Sequence, residues 1–237
     1  MSSVKNSNFA TVKIMIIAAT KKEVEPLLQK MDKVKNSFRG DFLIECNYKQ
    51  LELDVAISGV GMVAATHCTT LLNNISRSAT FNIGICGSFN RNLVIGTVVN
   101  VVEDCIAEMG AEDEEKFLSL EEMGINEPSR FDVRMPMEKD FNPVVDLLPK
   151  VNGITVNTVH GNENSIDKVV ARLHPMVESM EGAGFMYACI ANKTPYAQIR
   201  VVSNFVEQRN KNAWNIPLAI NNLTDKMIEI LDCFSTK

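Results

Sequence analysis

The sequence predicts an α/β protein in three layers, a central β-sheet covered by helices on both faces. Three observations predict it. Short Val- and Ile-rich runs alternate with amphipathic helical patterns along most of the chain, each run ending in small or polar residues. Several of these runs lack the polar-apolar alternation of a half-exposed strand, so they suit a sheet buried on both sides. The 237 residues, 46% hydrophobic and 22% charged, are ordinary for a globular chain with one large core.

Residues 12–19 (VKIMIIAA) read as the first strand and 22–31 (KEVEPLLQKM) as a helix with apolar residues every three or four positions. A strand at 53–59 (LDVAISG) leads into a helix at 62–74, and strands follow at 81–87 (FNIGICG) and 96–104 (GTVVNVVED). After these come a strand at 153–159, helices at 165–173 and 180–192, a strand at 196–204 (YAQIRVVSN) and a last helix at 215–234. Residues 1–10 are polar and read as a disordered tail. Residues 105–150 hold the acidic run AEDEEKF and several prolines, and read as a variable acidic insertion or loop. No repeat or linker divides the chain, so residues 1–237 are expected to form a single domain.

The net charge of −5, with no basic stripe, argues against a nucleic-acid or anionic-membrane surface. Neither a signal peptide nor an apolar run of about 20 residues is visible, so a cytoplasmic protein is expected. The six cysteines lie far apart without a CxxC pair and read as buried, reduced thiols. His67, His160 and His174 are too scattered to suggest a metal site, and no P-loop, HExxH motif or nucleophile elbow occurs. No metal and no cofactor are expected.

Four places carry candidate chemistry. Gly59-Val60-Gly61-Met62 joins a strand to a helix, but the acidic residue that a dinucleotide fold needs about 20 positions on is missing: none occurs between Asp54 and Glu103. A tight turn against a ligand or a neighbouring strand accounts for the glycines equally well. Glu23 starts the first helix, where amide N–H groups favour a carboxylate, and is a candidate base toward water. Glu181 opens a small, apolar helix (GAGFMYAC), so it needs hydrogen-bond donors, and sugar hydroxyls would serve. Ser203 and Asn204 end a strand, at the carboxyl edge where open α/β sheets bind ligands.

In series these segments resemble the nucleosidase branch of the purine nucleoside phosphorylase superfamily. KIMIIAATKKEVEPLL, GICGSFNRNLVIGTVVNV and SMEGAGFMYAC are each similar to a family segment, in family order. The resemblance implies a phosphorylase/hydrolase-like fold whose mixed, partly barrel-like β-sheet is flanked by helices. It also implies Glu23 as the water-activating glutamate, Ile85, Cys86 and Gly87 on the ligand wall, and Met180 and Glu181 at the ribose. Val60 is expected near the sugar, and Gly161 and Asn162 near the base through their backbone. The phosphate-holding Gly-Asp-Pro and arginine element of the phosphorylases is missing, and Glu23 would repel phosphate, so hydrolysis is favoured.

Asn204 stands where the adenine-releasing nucleosidases, which act on methylthioadenosine and S-adenosylhomocysteine, carry an aspartic acid. An amide can donate to a 6-oxo group and accept the N7 hydrogen, which suits hypoxanthine. This residue, ITVNTVHGNENSI, the tail SNFVEQRNKNAWNIPLAI and the acidic GAEDEEKF loop resemble the futalosine hydrolases most closely. The resemblance therefore implies cleavage of futalosine to hypoxanthine and dehypoxanthine futalosine, in a route to menaquinone, with Glu23, Glu181 and Asn204 as the catalytic set. The alternatives are a methylthioadenosine/S-adenosylhomocysteine nucleosidase and, after it, a purine nucleoside phosphorylase. Arg91, Arg209 and His160 remain open as partners for the substrate carboxylate. The partners implied are a small purine nucleoside and a second copy of the chain in a homodimer, with no nucleic acid and no membrane.

Overall fold

The computed structural model describes residues 12–37, 40–73, 77–132 and 142–235. The polar tail 1–10 lies outside them. Along the chain run β1 (Lys13–Ala18), α1 (Lys21–Leu28), β2 (Asp32–Ser37), β3 (Gly40–Tyr48), β4 (Leu51–Ile57), α2 (Met62–Leu72), β5 (Ala79–Ser88) and β6 (Val98–Ile106). Then follow β7 (Gly110–Asp113), β8 (Lys116–Ser119), β9 (Arg130–Asp132), α3 (Pro143–Leu147), β10 (Lys150–Thr155) and α4 (Glu163–Leu173). The chain closes with β11 (Val177–Ser179), α5 (Gly182–Ala191), β12 (Tyr196–Phe205), a 3-10 turn and α6 (Ile216–Ser235). Every strand and helix read from the sequence is present, within a few residues of the expected bounds.

Strands β2, β3, β7, β8, β9 and β11 and helix α3 were not read from the sequence. β2 is polar and largely exposed, β9 and β11 have three residues each, and α3 has five, so none offers an apolar period to detect. Within residues 105–150, β7 and β8 form a separate hairpin, β9 pairs with β6, and α3 packs Val145 into the core.

Among the described residues one mixed sheet holds ten strands. Five of them close on themselves. β5 pairs with β12, β12 with β6, β6 with β10 and β10 with β11, and β11 returns antiparallel to β5 through Glu178 opposite Gly87. The sheet extends from β5 through β1, β4, β3 and β2. The partly barrel-like sheet is therefore a closed five-strand ring with an open wing.

Alternation along β1 shows why its sequence carries no polar stripe. Ile14, Ile16 and Ala18 pack with Val24 and Leu27 of α1 and with Leu223, Met227 and Ile230 of α6. Met15 and Ile17 face the other way, toward Cys68 and Leu72 of α2 and Phe185 and Cys189 of α5. Both faces are buried, as in other sheets covered by helices. β1, β4, β5 and β12 all run parallel, so their carboxyl ends lie at one edge. No helix of the described residues is long and apolar enough to cross a membrane.

The start of α5 is held by a buried polar cluster. Asp104 of β6 accepts from Thr155 Oγ1 at 2.9 Å and from Gln198 Nε2 at 3.0 Å, and Thr155 Oγ1 in turn accepts from Ala183 N at 2.7 Å. Burial pushes the Asp104 carboxyl up to about 6, against the downward pull of the Gln198 and Thr155 hydrogen bonds and of the Arg200 charge. A methyl group on Gly182 would collide with Asp104 Oδ2 and Gln198 Nε2. One on Gly184 would lie 2.5 Å from Met62 O and Thr66 Oγ1 of α2. Helix propensity favours alanine over glycine by about 1 kcal/mol, but overpacking against fixed polar groups costs about 1–3 kcal/mol. Gly182→Ala is therefore expected to destabilise the protein by about 1 kcal/mol or more in urea unfolding, the reverse of the propensity effect.

Candidate active site

At the carboxyl edge of the parallel strands, two opposite charges pack against Gly84. A methyl group there would lie 2.5 Å from Arg200 Nη1 and 2.6 Å from Glu23 Oε1, so both atoms surround one point above β5. Only glycine leaves that space open.

Glu23 is held by three donors. Its Oε2 accepts from Thr20 N and Thr20 Oγ1, both at 2.9 Å, and its Oε1 accepts from Ile85 N at 3.2 Å. The Thr20 N contact belongs to a capping box at the start of α1, and the Ile85 contact ties the carboxylate to β5. The carboxylate is 7% exposed. Its position follows from the short turn after β1, which puts the first turn of α1 over the sheet edge.

Arg200 is fully buried in β12. Its Nη2 donates to Asn82 Oδ1 at 2.5 Å, and Asn82 Nδ2 donates to Ile17 O at 3.1 Å. Nη1 lies 3.4 Å from Glu181 Oε2 but makes no hydrogen bond among the described residues, and neither does Nε. A buried guanidinium with free donors is costly unless those donors serve a ligand.

Glu181 immediately precedes α5, as the sequence suggested, and is 5% exposed. Its Oε1 accepts from Gly61 N at 3.1 Å. Gly61 has φ of +99° and caps α2, a conformation that favours glycine. The glycine turn thus aims an amide at Glu181, which accounts for it without a dinucleotide.

Asn204 sits beyond a bulge in β12, where Val202 pairs with Cys86 and Asn204 with Gly87. Its Nδ2 donates to Phe205 O at 2.9 Å. A carbonyl can only accept, so this contact fixes the amide orientation and turns Oδ1 to Ser203 Oγ, 2.8 Å away. The Oδ1 expected to accept a purine hydrogen already accepts one from Ser203.

A second acid faces Asn204 across Gly87. A methyl group on Gly87 would lie 3.3 Å from Asn204 Nδ2 and 3.4 Å from Glu178 Cγ. Glu178, 4% exposed, accepts from His160 N at 3.1 Å and contacts His160 Nδ1 at 2.7 Å. Phe89 meets the His160 ring edge-on with centroids 6.2 Å apart.

The remaining predicted residues lie around this edge. Ile85 supplies an amide to Glu23, Cys86 is buried under Ser203 Oγ, and Met180 is half-buried just before Glu181. Val60, 58% exposed, precedes Gly61. Gly161 and Asn162 line a cleft of about 170 Å³ with Glu163, Asn164 and Gln208. Asn162 also caps α4, its side chain accepting from Ser165 N. Among the described residues no group of three or more His, Cys, Asp or Glu side chains could hold a metal ion.

Residues 13–141 match the phosphorylase superfamily model. A futalosine hydrolase of Acidothermus cellulolyticus is 30% identical over 220 residues, 90% of this chain and 88% of that protein. The chain belongs to the futalosine hydrolase family of the phosphorylase superfamily. The fold agrees with this family. Futalosine hydrolase of Helicobacter pylori superposes with a TM-score of 0.79 at 16% identity, covering 94% of this chain and 98% of that one. A methylthioadenosine/S-adenosylhomocysteine nucleosidase of Neisseria meningitidis gives 0.74 at 18% identity, covering 92% and 98%.

In this member of the family, sequence reasoning missed Arg200 and Glu178. Arg200 carried a legible signal, a lone cation inside the apolar strand QIRVV, which must find partners when both faces are covered. Removing one partner of a buried pair costs about 3–5 kcal/mol, because the other charge is left uncompensated. Arg200→Met is expected to destabilise the protein strongly in urea unfolding, and adding Glu181→Gln is expected to restore part of that loss.

Proposed function

We propose that the protein hydrolyses the N-glycosidic bond of a 5′-modified purine nucleoside, futalosine in the first place, releasing hypoxanthine. The observation that carries the reading is the convergence of Glu23 and Glu181 on the buried Arg200 beside Gly84. A water beside the Glu23 carboxylate can donate to it, with the Arg200 charge close by. As the glycosidic bond stretches, the ribose gains oxocarbenium character and Glu181 strengthens its hold on the sugar hydroxyls. Glu23 takes the proton of the attacking water. The new C–O bond forms on the anomeric carbon and the bond electrons leave with the purine.

Asn204 Nδ2 keeps one hydrogen free of Phe205 O, and that hydrogen suits a 6-oxo group. The 6-amino group of adenine would meet donor against donor, which disfavours the methylthioadenosine/S-adenosylhomocysteine reading. Ser203 holds Asn204 in this orientation, while Ile85, Cys86, Gly87, Gly161 and Asn162 complete the base and ribose walls. For the substrate carboxylate, Arg91 is already paired with Glu207 at 2.7 Å and Glu178 beside His160 repels an anion. Arg209 has no carboxylate partner among the described residues and stacks near Trp214, so it is the proposed partner.

The protein is further proposed to work in the cytoplasm as a homodimer. The exposed apolar side chains Val60, Val63 and Tyr187, on or beside the packed helices α2 and α5, support the dimer.

The test is chromatographic detection of free base after incubation with futalosine, methylthioadenosine and inosine, with and without phosphate. Hypoxanthine from futalosine, independent of phosphate, is expected. Adenine from methylthioadenosine would overturn the substrate, and phosphate-dependent turnover would overturn hydrolysis. Glu23→Gln is expected to lower kcat by about 10²-fold to 10⁴-fold, and normal turnover would exclude its role as base.

A further inference from the structure

A purine leaves more readily when its imidazole ring gains a proton, and an amide at position 204 cannot supply one. Asn204 Oδ1, which accepts from Ser203, carries no proton to give, and Nδ2 donates a hydrogen bond without giving up its hydrogen. A group that titrates has to do this work. At the Asn204 end of the site the structure holds one such pair. Glu178 and Asn204 flank Gly87, and Glu178 is bonded twice to His160, once at the backbone amide and once at the ring.

We infer that His160, positioned by Glu178, is the general acid that protonates N7 of the departing purine. The inference rests on the purine nucleosidase reading above. A carboxylate only accepts, so the 2.7 Å contact requires a proton on His160 Nδ1. In the imidazolium Nε2 also carries a proton, and no hydrogen bond to Nε2 forms among the described residues.

Glu178, with 4% of its side chain exposed, holds the ring by two contacts. The ring itself is 14% exposed, so it opens to a ligand where Glu178 does not. The edge contact from Phe89 fixes its tilt. Nearby, Arg91 is neutralised by Glu207, and Arg209 is bonded through its backbone to Gly161 O.

The step balances. The C1′–N9 bond breaks with its electrons going to the base, and N7 takes the Nε2 proton. Water gives its oxygen to C1′ and a proton to Glu23. His160 is left neutral with its proton on Nδ1, and solvent takes the proton from Glu23 and returns one to His160 Nε2 before the next turnover. Asn204 Nδ2 meanwhile binds the 6-oxo group, so His160 and Asn204 read adjacent atoms of one purine edge. Glu178 touches no reacting atom and acts as a positioning residue.

The test compares cleavage of the preferred nucleoside with cleavage of its N7-methylated form, whose base departs without a proton at N7. Wild type, His160→Gln, His160→Phe and Glu178→Gln are assayed on both. The expected result is a loss in kcat of about 10²-fold or more for each variant on the parent nucleoside, with KM changed much less. On the methylated form, the variants are expected to stay within about threefold of wild type. His160→Phe keeps an aromatic ring against Phe89 and so separates packing from proton transfer. Equal losses on both substrates, or no loss on the parent, would overturn the assignment. Failure of the wild type to release base from either nucleoside would instead overturn the nucleosidase reading on which it rests.

Discussion

The buried guanidinium of Arg200 is the constraint around which the site is arranged. A charge with no exposure inside a two-face-covered sheet has to be compensated, and the compensation defines the neighbourhood. Asn82 takes one end of it, Glu181 lies at 3.4 Å, and Gly84 stays a glycine so that Glu23 and Nη1 can both pack against it. Nη1 and Nε make no hydrogen bond among the described residues, so the nearby carboxylates balance the charge.

The carboxylates come to Arg200 by separate routes. Glu23 arrives through a capping box that any helix start could use, and only its third contact, to Ile85 N, is a tertiary one. Glu181 depends on the buried cluster of Asp104, Thr155 and Gln198, on which α5 begins, and on the left-handed turn at Gly61. Closing β5, β12, β6, β10 and β11 into a ring brings β11 against β5, and with it Glu178 against Gly87. Without that closure the three-residue β11 would have no reason to lie near Asn204.

Much of this was legible in the sequence. The unbroken apolar runs of β1, β5 and β12 predicted a covered sheet, and glycine- and alanine-rich α5 marked Glu181 as a carboxylate needing donors. What stayed hidden depended on partners remote in sequence. The polar edge strand β2 is stabilised by its pairing with β3 rather than by its own pattern. Asp104, Glu178 and His160 gain their roles from contacts across 18 to 94 positions, which no local spacing reveals. Arg200 was visible as an anomaly in its strand, but its direction toward Glu23 was not.

The most direct measurement is a high-resolution crystal structure with a non-hydrolysable purine nucleoside analogue. An ordered water is expected within hydrogen-bonding distance of the Glu23 carboxylate, with the ribose hydroxyls on Glu181 and the purine edge at Asn204 and His160. An analogue seated with its sugar away from Glu181, or a site with no water bonded to Glu23, would contradict this mechanism.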